Sequence, residues 1–124
     1  MTVKSLTAAD FESTILTSPI VLVDFWAPWC GPCRAFAPTF ERSAQNHPDI
    51  VYAKVDTDAE PELAGTVGIR SVPTIMAFRD GILVYSQPGA MSPAVLDDLI
   101  DQIKGLDMEK VRAKIAERKA AVQA

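Results

Sequence analysis

The spacing of apolar residues changes several times along the chain. Ile20 to Trp26 form a nearly continuous apolar run broken only by Asp24, the pattern of a strand buried on both faces. Before it, Val3 to Leu6 read as a short strand. Thr7 stands as the N-cap of a helix over Ala8 to Leu16, with Phe11, Ile15 and Leu16 on one face. Ser18-Pro19 ends that helix. After the central run comes a turn holding both cysteines, then a helix from Pro32 to Asn46. Pro38 lies inside this helix and is expected to kink it, because proline has no backbone donor. Beyond the break at His47-Pro48-Asp49, Ile50 to Val55 form a second buried strand and Asp58 to Val67 a short helix. Thr74 to Phe78 and Ile82 to Ser86 are strands joined by the Arg79-Asp80-Gly81 hairpin, where glycine supplies the positive φ. Ser92 caps a further helix with Pro93 at its first position.

The order β-α-β-α-β-α-β-β-α predicts an α/β fold. Early alternation gives parallel strands with right-handed crossovers, and the late hairpin adds an antiparallel edge. The expected architecture is a central mixed sheet of about five strands flanked by about four helices. At 124 residues, 48% of them apolar and 23% charged, the chain is sized for one domain with a real core. Its net charge of −4 opposes nucleic-acid binding, which needs clustered Lys and Arg. The longest aliphatic run, Ile20 to Val23, is too short to cross a bilayer. Ser5, Thr7, Asp10 and Glu12 stand where a secretory signal needs an apolar stretch. A reducing, cytoplasmic location is therefore expected.

The candidate chemistry sits in Trp26-Ala27-Pro28-Trp29-Cys30-Gly31-Pro32-Cys33. A structural disulfide across so short a loop would remove little chain entropy. Two thiols in a reducing compartment are redox-active or metal-binding, and zinc usually wants four ligands where this chain adds only His47. With Pro32 in the first helical turn, Cys30 falls near the N-cap. There its sulfur faces unpaired N–H groups and the positive end of the helix dipole. Both favour thiolate, so Cys30 is the expected nucleophile, with Cys33 one turn inward and more buried as the resolving thiol. The uncharged Gly31-Pro32 pair favours a reductase over an oxidase or isomerase. Asp24, a carboxylate on a buried strand six residues before Cys30, is expected to have a raised pKa suited to taking the Cys33 proton. Lys54 on the next strand is either its charge partner or a solvated strand-end lysine.

Taken together, these segments resemble the thioredoxin family over roughly residues 3 to 104. The likeness rests on Val23-Asp24-Phe25-Trp26-Ala27, Trp29-Cys30-Gly31-Pro32-Cys33, Pro38, Lys54-Val55-Asp56, Gly68-Ile69-Arg70-Ser71-Val72-Pro73-Thr74 and Gly89-Ala90. The resemblance implies a protein-disulfide reductase in which Cys30 attacks, Cys33 resolves and Asp24 with Lys54 assists proton transfer. It implies a cis Pro73 facing the cysteines, and a flat docking surface of Trp29, Gly31, Pro32, Val72, Pro73, Gly89 and Ala90 that pairs with an extended client. It also implies an NADPH-dependent thioredoxin reductase as electron donor, disulfide-containing client proteins, a monomer, and no cofactor beyond the redox-active Cys30–Cys33 disulfide. A redox-inactive binding or chaperone module using the same surface is the competing expectation.

Pro88 stands where the family usually has an aliphatic residue. The thioredoxin domain is expected over residues 1–104, followed by a helical extension over 105–124 that Gly105 sets apart. Met108, Val111, Ile115 and Val122 share one face of it. The extension has five Lys/Arg against three Asp/Glu, +2, while the rest has seven against thirteen, −6. Packing against the acidic domain, partner binding and fraying all remain open for it.

Overall fold

A computed structural model describes residues 2–123. Its strands are β1 (Val3–Ser5), β2 (Ile20–Trp26), β3 (Val51–Asp56), β4 (Thr74–Arg79) and β5 (Ile82–Pro88). The helices are α1 (Ala8–Thr17), α2 (Gly31–Asn46), α3 (Pro61–Thr66), α4 (Pro93–Lys104) and α5 (Met108–Gln123). The sheet order is β1-β3-β2-β4-β5. β1 and β2 run parallel to β3, while β4 runs antiparallel to both β2 and β5. The mixed sheet is the one expected, and the hairpin turns through Asp80 and Gly81, with φ of 53° and 79°.

β2 lies in the middle of the sheet and alternates its side chains between two cores. Val21, Val23 and Phe25 join Phe11, Ile15 and Phe78 beneath α1, with Leu63 of α3 packed against them. Leu22 faces the other way, with Phe36 and Phe40 of α2 and Leu96, Leu99, Ile100 and Ile103 of α4. Asp24 shares the parity of Leu22, so its carboxylate points to the α2 side, where the cysteines begin the helix.

α3 starts at Pro61, three residues later than the pattern suggested. The Asp56 carboxylate accepts the N–H groups of Asp58 and Ala59, at 2.9 and 3.3 Å, holding this stretch as a turn. Pro61 also disfavours helical backbone at the residue before it. α2 runs unbroken past Pro38.

α5 begins under Asp107, whose carboxylate accepts the N–H groups of Glu109 and Lys110 at 3.1 and 3.3 Å. Arg79 Nη1 reaches the carbonyls of Ile103, Lys104 and Leu106 at 2.7, 3.1 and 2.8 Å, tying β4 to the α4–α5 turn. Of the apolar stripe, Met108 is buried and Val111 and Ile115 are half-buried. Val122 is 87% exposed, because it lies nearly four turns beyond Met108, past the part of the helix that meets the domain.

Candidate active site

β2 ends at Trp26 and the chain turns through Ala27–Cys30 into α2. Cys30 is the N-cap, with Pro32 in the first turn. Cys30 and Cys33 are joined by a disulfide, their Cα atoms 5.3 Å apart. The Cys33 N–H donates to the Cys30 sulfur at 3.2 Å, so one of the orphan donors at the helix start is spent on that sulfur. The same sulfur lies 3.6 Å from the Val72 carbonyl oxygen. Burial does not distinguish the two cysteines, at 3% and 2% exposed. The expected difference between them therefore lies in their places on the helix. Cys30 sits at the dipole end, whereas Cys33 faces inward onto a small cavity.

That cavity, of about 90 Å³, is lined by Asp24, Trp26, Cys33, Arg34, Ala37 and Lys54. Asp24 is buried, and its Oδ1 has no hydrogen-bond partner among the described residues. Burial pushes its pKa from 3.8 up to about 7, against the pull of Lys54. Asp24 and Lys54 are register partners across β2 and β3. The Lys54 ammonium lies over the Trp26 ring, 5.4 Å from its centroid. From the sequence, Trp26 reads as core whose apolar mass supports the active turn. Its place one turn from the cysteines and two residues after Asp24 was the available signal for a second role.

The surface around the disulfide brings together most of the other expected residues. Trp29 is 68% exposed, and its indole N–H donates to Asp58 at 3.4 Å. Gly31, Pro32, Gly89 and Ala90 are exposed and Val72 half-buried, while Pro73 is buried. The Val72–Pro73 peptide is cis. The Pro73 carbonyl accepts the Gly89 N–H at 2.8 Å, tying the two loops together. Val72 packs against Ala27, Cys30 and Cys33. A cleft of about 170 Å³ beside the disulfide is lined by Trp29, Val72, Thr57, Ala64, Ile69, Arg70 and Ser71. Of these, Thr57 and Ala64 were not named from the sequence, and Ile69-Arg70-Ser71 entered only as part of the motif leading into Val72-Pro73, not as site residues. Among the described residues, no group of three or more His, Cys, Asp or Glu is placed to hold a metal ion. No helix among them is long and apolar enough to cross a membrane.

Comparison with known proteins agrees with this geometry. The chain is 49% identical over 115 residues to a protein named putative thioredoxin 2 from Streptomyces coelicolor, covering 93% of this chain and 86% of that one. Only 104 residues precede Gly105, so this alignment reaches into the segment that carries α5. Thioredoxin 1 of Synechococcus elongatus is 47% identical over 100 residues, 79% of this chain and 94% of that one. Among solved structures, a mutant thioredoxin from Halobacterium salinarum matches with a TM-score of 0.75 and 34% identity, over 84% of this chain and 94% of that one. Plasmodium falciparum thioredoxin matches at 0.74 and 35%, over 80% and 97%. The family profile described as Thioredoxin matches residues 2–104, and the chain belongs to the thioredoxin family, as a thiol–disulfide oxidoreductase whose redox group is the Cys30–Cys33 disulfide.

Proposed function

We propose that this protein reduces client protein disulfides, with Cys30 as the attacking sulfur and Cys33 as the resolving one. The observation that carries the assignment is the Cys33 N–H aimed at the Cys30 sulfur at 3.2 Å from the start of α2. A donor and a helix N-terminus both stabilise negative charge on that atom. In the dithiol form the Cys30 thiolate attacks one sulfur of the client disulfide. A mixed disulfide forms and the first client thiolate leaves. Cys33 gives its proton to Asp24 and attacks the Cys30 sulfur, releasing the second client thiolate and closing the Cys30–Cys33 bond. Two electrons pass to the client.

Asp24 suits the proton step because a pKa of about 7 lets one carboxyl both accept and release a proton near neutrality. The cavity it shares with Cys33 is roomy enough for a bridging water. Lys54 steadies the ionised form of Asp24 from across the strand pair. Trp29, Gly31, Pro32, Val72, Gly89 and Ala90 form the docking face, supported by Pro73 from beneath. An extended client segment pairs with the Val72 backbone as an added strand.

Thioredoxins in general are served by a thioredoxin reductase and act on disulfide-containing proteins. For this chain we assign an NADPH-dependent reductase as donor, a cytoplasmic location and a monomeric state with no nucleic-acid or membrane partner. We assign residues 1–104 to the catalytic domain and 105–124 to an appended helical extension. Insulin reduction with dithiothreitol tests the catalytic assignment. Wild type should be active, Cys30→Ser inactive, and Cys33→Ser should accumulate a mixed disulfide at Cys30. An active Cys30→Ser variant would refute it, and a wild type that binds clients without reducing them would point to a binding module.

A further inference from the structure

We propose that Arg34 is a positioning residue for client docking, its guanidinium holding the Pro28–Trp29 peptide and, through it, Trp29. The turn that delivers Cys30 has few handles of its own. The Cys30 N–H donates to the Ala27 carbonyl at 3.1 Å, closing the turn. Between them stand Pro28 and Trp29, both exposed. Pro28 has no N–H to donate, and among the described residues the Trp29 side chain has one hydrogen bond, its long contact to Asp58. The Pro28 carbonyl is one such handle, and Arg34 Nη1 donates to it at 2.8 Å. The backbone N–H of Arg34 also donates to the Cys30 carbonyl, at 3.2 Å. One residue thus grips the turn at Pro28 with its side chain and at Cys30 with its main chain.

The residue type fits this task. A guanidinium carries five donors in a planar fork, so an arm fixed on Pro28 leaves others free, whereas an ammonium is a point charge on a flexible stem. The same side chain lines the cavity shared by Asp24 and Cys33. Arg34 therefore joins the client-facing side of the turn to its proton-handling side. Methionine keeps an unbranched stem but removes both the charge and the donor, whereas lysine keeps the charge and a donor.

The functional consequence rests on the docking role assigned to Trp29. In Arg34→Met, the Trp29 amide order parameter should fall from the rigid range. The KM for insulin should rise about fivefold, the worth of one net hydrogen bond, with kcat within about twofold and the Cys30 thiol titrating as in wild type. Arg34→Lys, which keeps the charge and a donor, should raise KM less. A loss of global stability alone would not split KM from kcat. A wild-type order parameter in Arg34→Met overturns the proposal. So does a wild-type KM there while Trp29→Ala raises KM. If Trp29→Ala leaves KM unchanged, the docking role of Trp29 falls, and the clamp stands or falls on the order parameter alone.

Discussion

Asp24 and Lys54 are neighbours in the β2–β3 register, yet among the described residues they form no ion pair, and the ammonium rests instead over the Trp26 ring. The carboxylate is left to bear its desolvation largely alone. Burial raises its pKa to about 7 from 3.8, the cation pulling only partly back. Such an arrangement sacrifices stability for a proton acceptor matched to neutral pH.

The sign of that sacrifice fixes a pH dependence. The folded state holds the Asp24 proton more tightly than the unfolded chain. The Asp24 contribution to stability is therefore undiminished below about pH 4, falls as pH rises through the window up to about 7, and levels off above it. Asp24→Asn removes the penalty. The variant should be more stable than wild type by roughly 2–4 kcal/mol at pH 8.5 and nearly equal to it at pH 3.5, read from urea unfolding of the disulfide form. A gain independent of pH would mean that ionisation is not its source.

Removing the cation should push Asp24 further. In Lys54→Met the carboxyl is expected to titrate above the wild-type value, because the Lys54 charge is what lowers it. Carboxyl-carbon NMR of the labelled aspartate measures this directly. An unmoved titration would show that Lys54 does not act on Asp24.

The extension should be energetically uneven along its length. Met108 is 6% exposed and Val122 87%. Met108→Ala is expected to lower stability by about 2 kcal/mol, whereas Val122→Ser should stay within about 0.5 kcal/mol of wild type. Equal effects at the two positions would contradict the packing of α5 described here.

Much of this was legible before any coordinates. The apolar run of β2 could only be a buried central strand, and Asp24 was conspicuous because it broke that run. The Ser92-Pro93 helix start and the Asp80-Gly81 turn were local chemistry and held. What escaped were relationships set by the third dimension. Lys54 and Trp26 lie on different strands, so no periodicity pairs the ammonium with the ring. Arg34 carried no signal in the sequence, since its contact runs back across the turn to a carbonyl. The start of α3 was misplaced because the Asp56 side chain competes with helix by capping its own turn. Val122 kept the right helical phase but lies beyond the domain's edge, a matter of length that phase does not reveal.

Titration of the reduced protein by thiolate ultraviolet absorbance, with Cys33→Ser and Cys30→Ser to separate the two sulfurs, bears most directly on the role of the α2 N-terminus. Cys30 should ionise well below the ordinary thiol value of about 8.5, and Cys33 above Cys30. An ordinary pKa for Cys30, with Cys33 the more acidic of the two, would mean that the helix start does not activate the sulfur it faces.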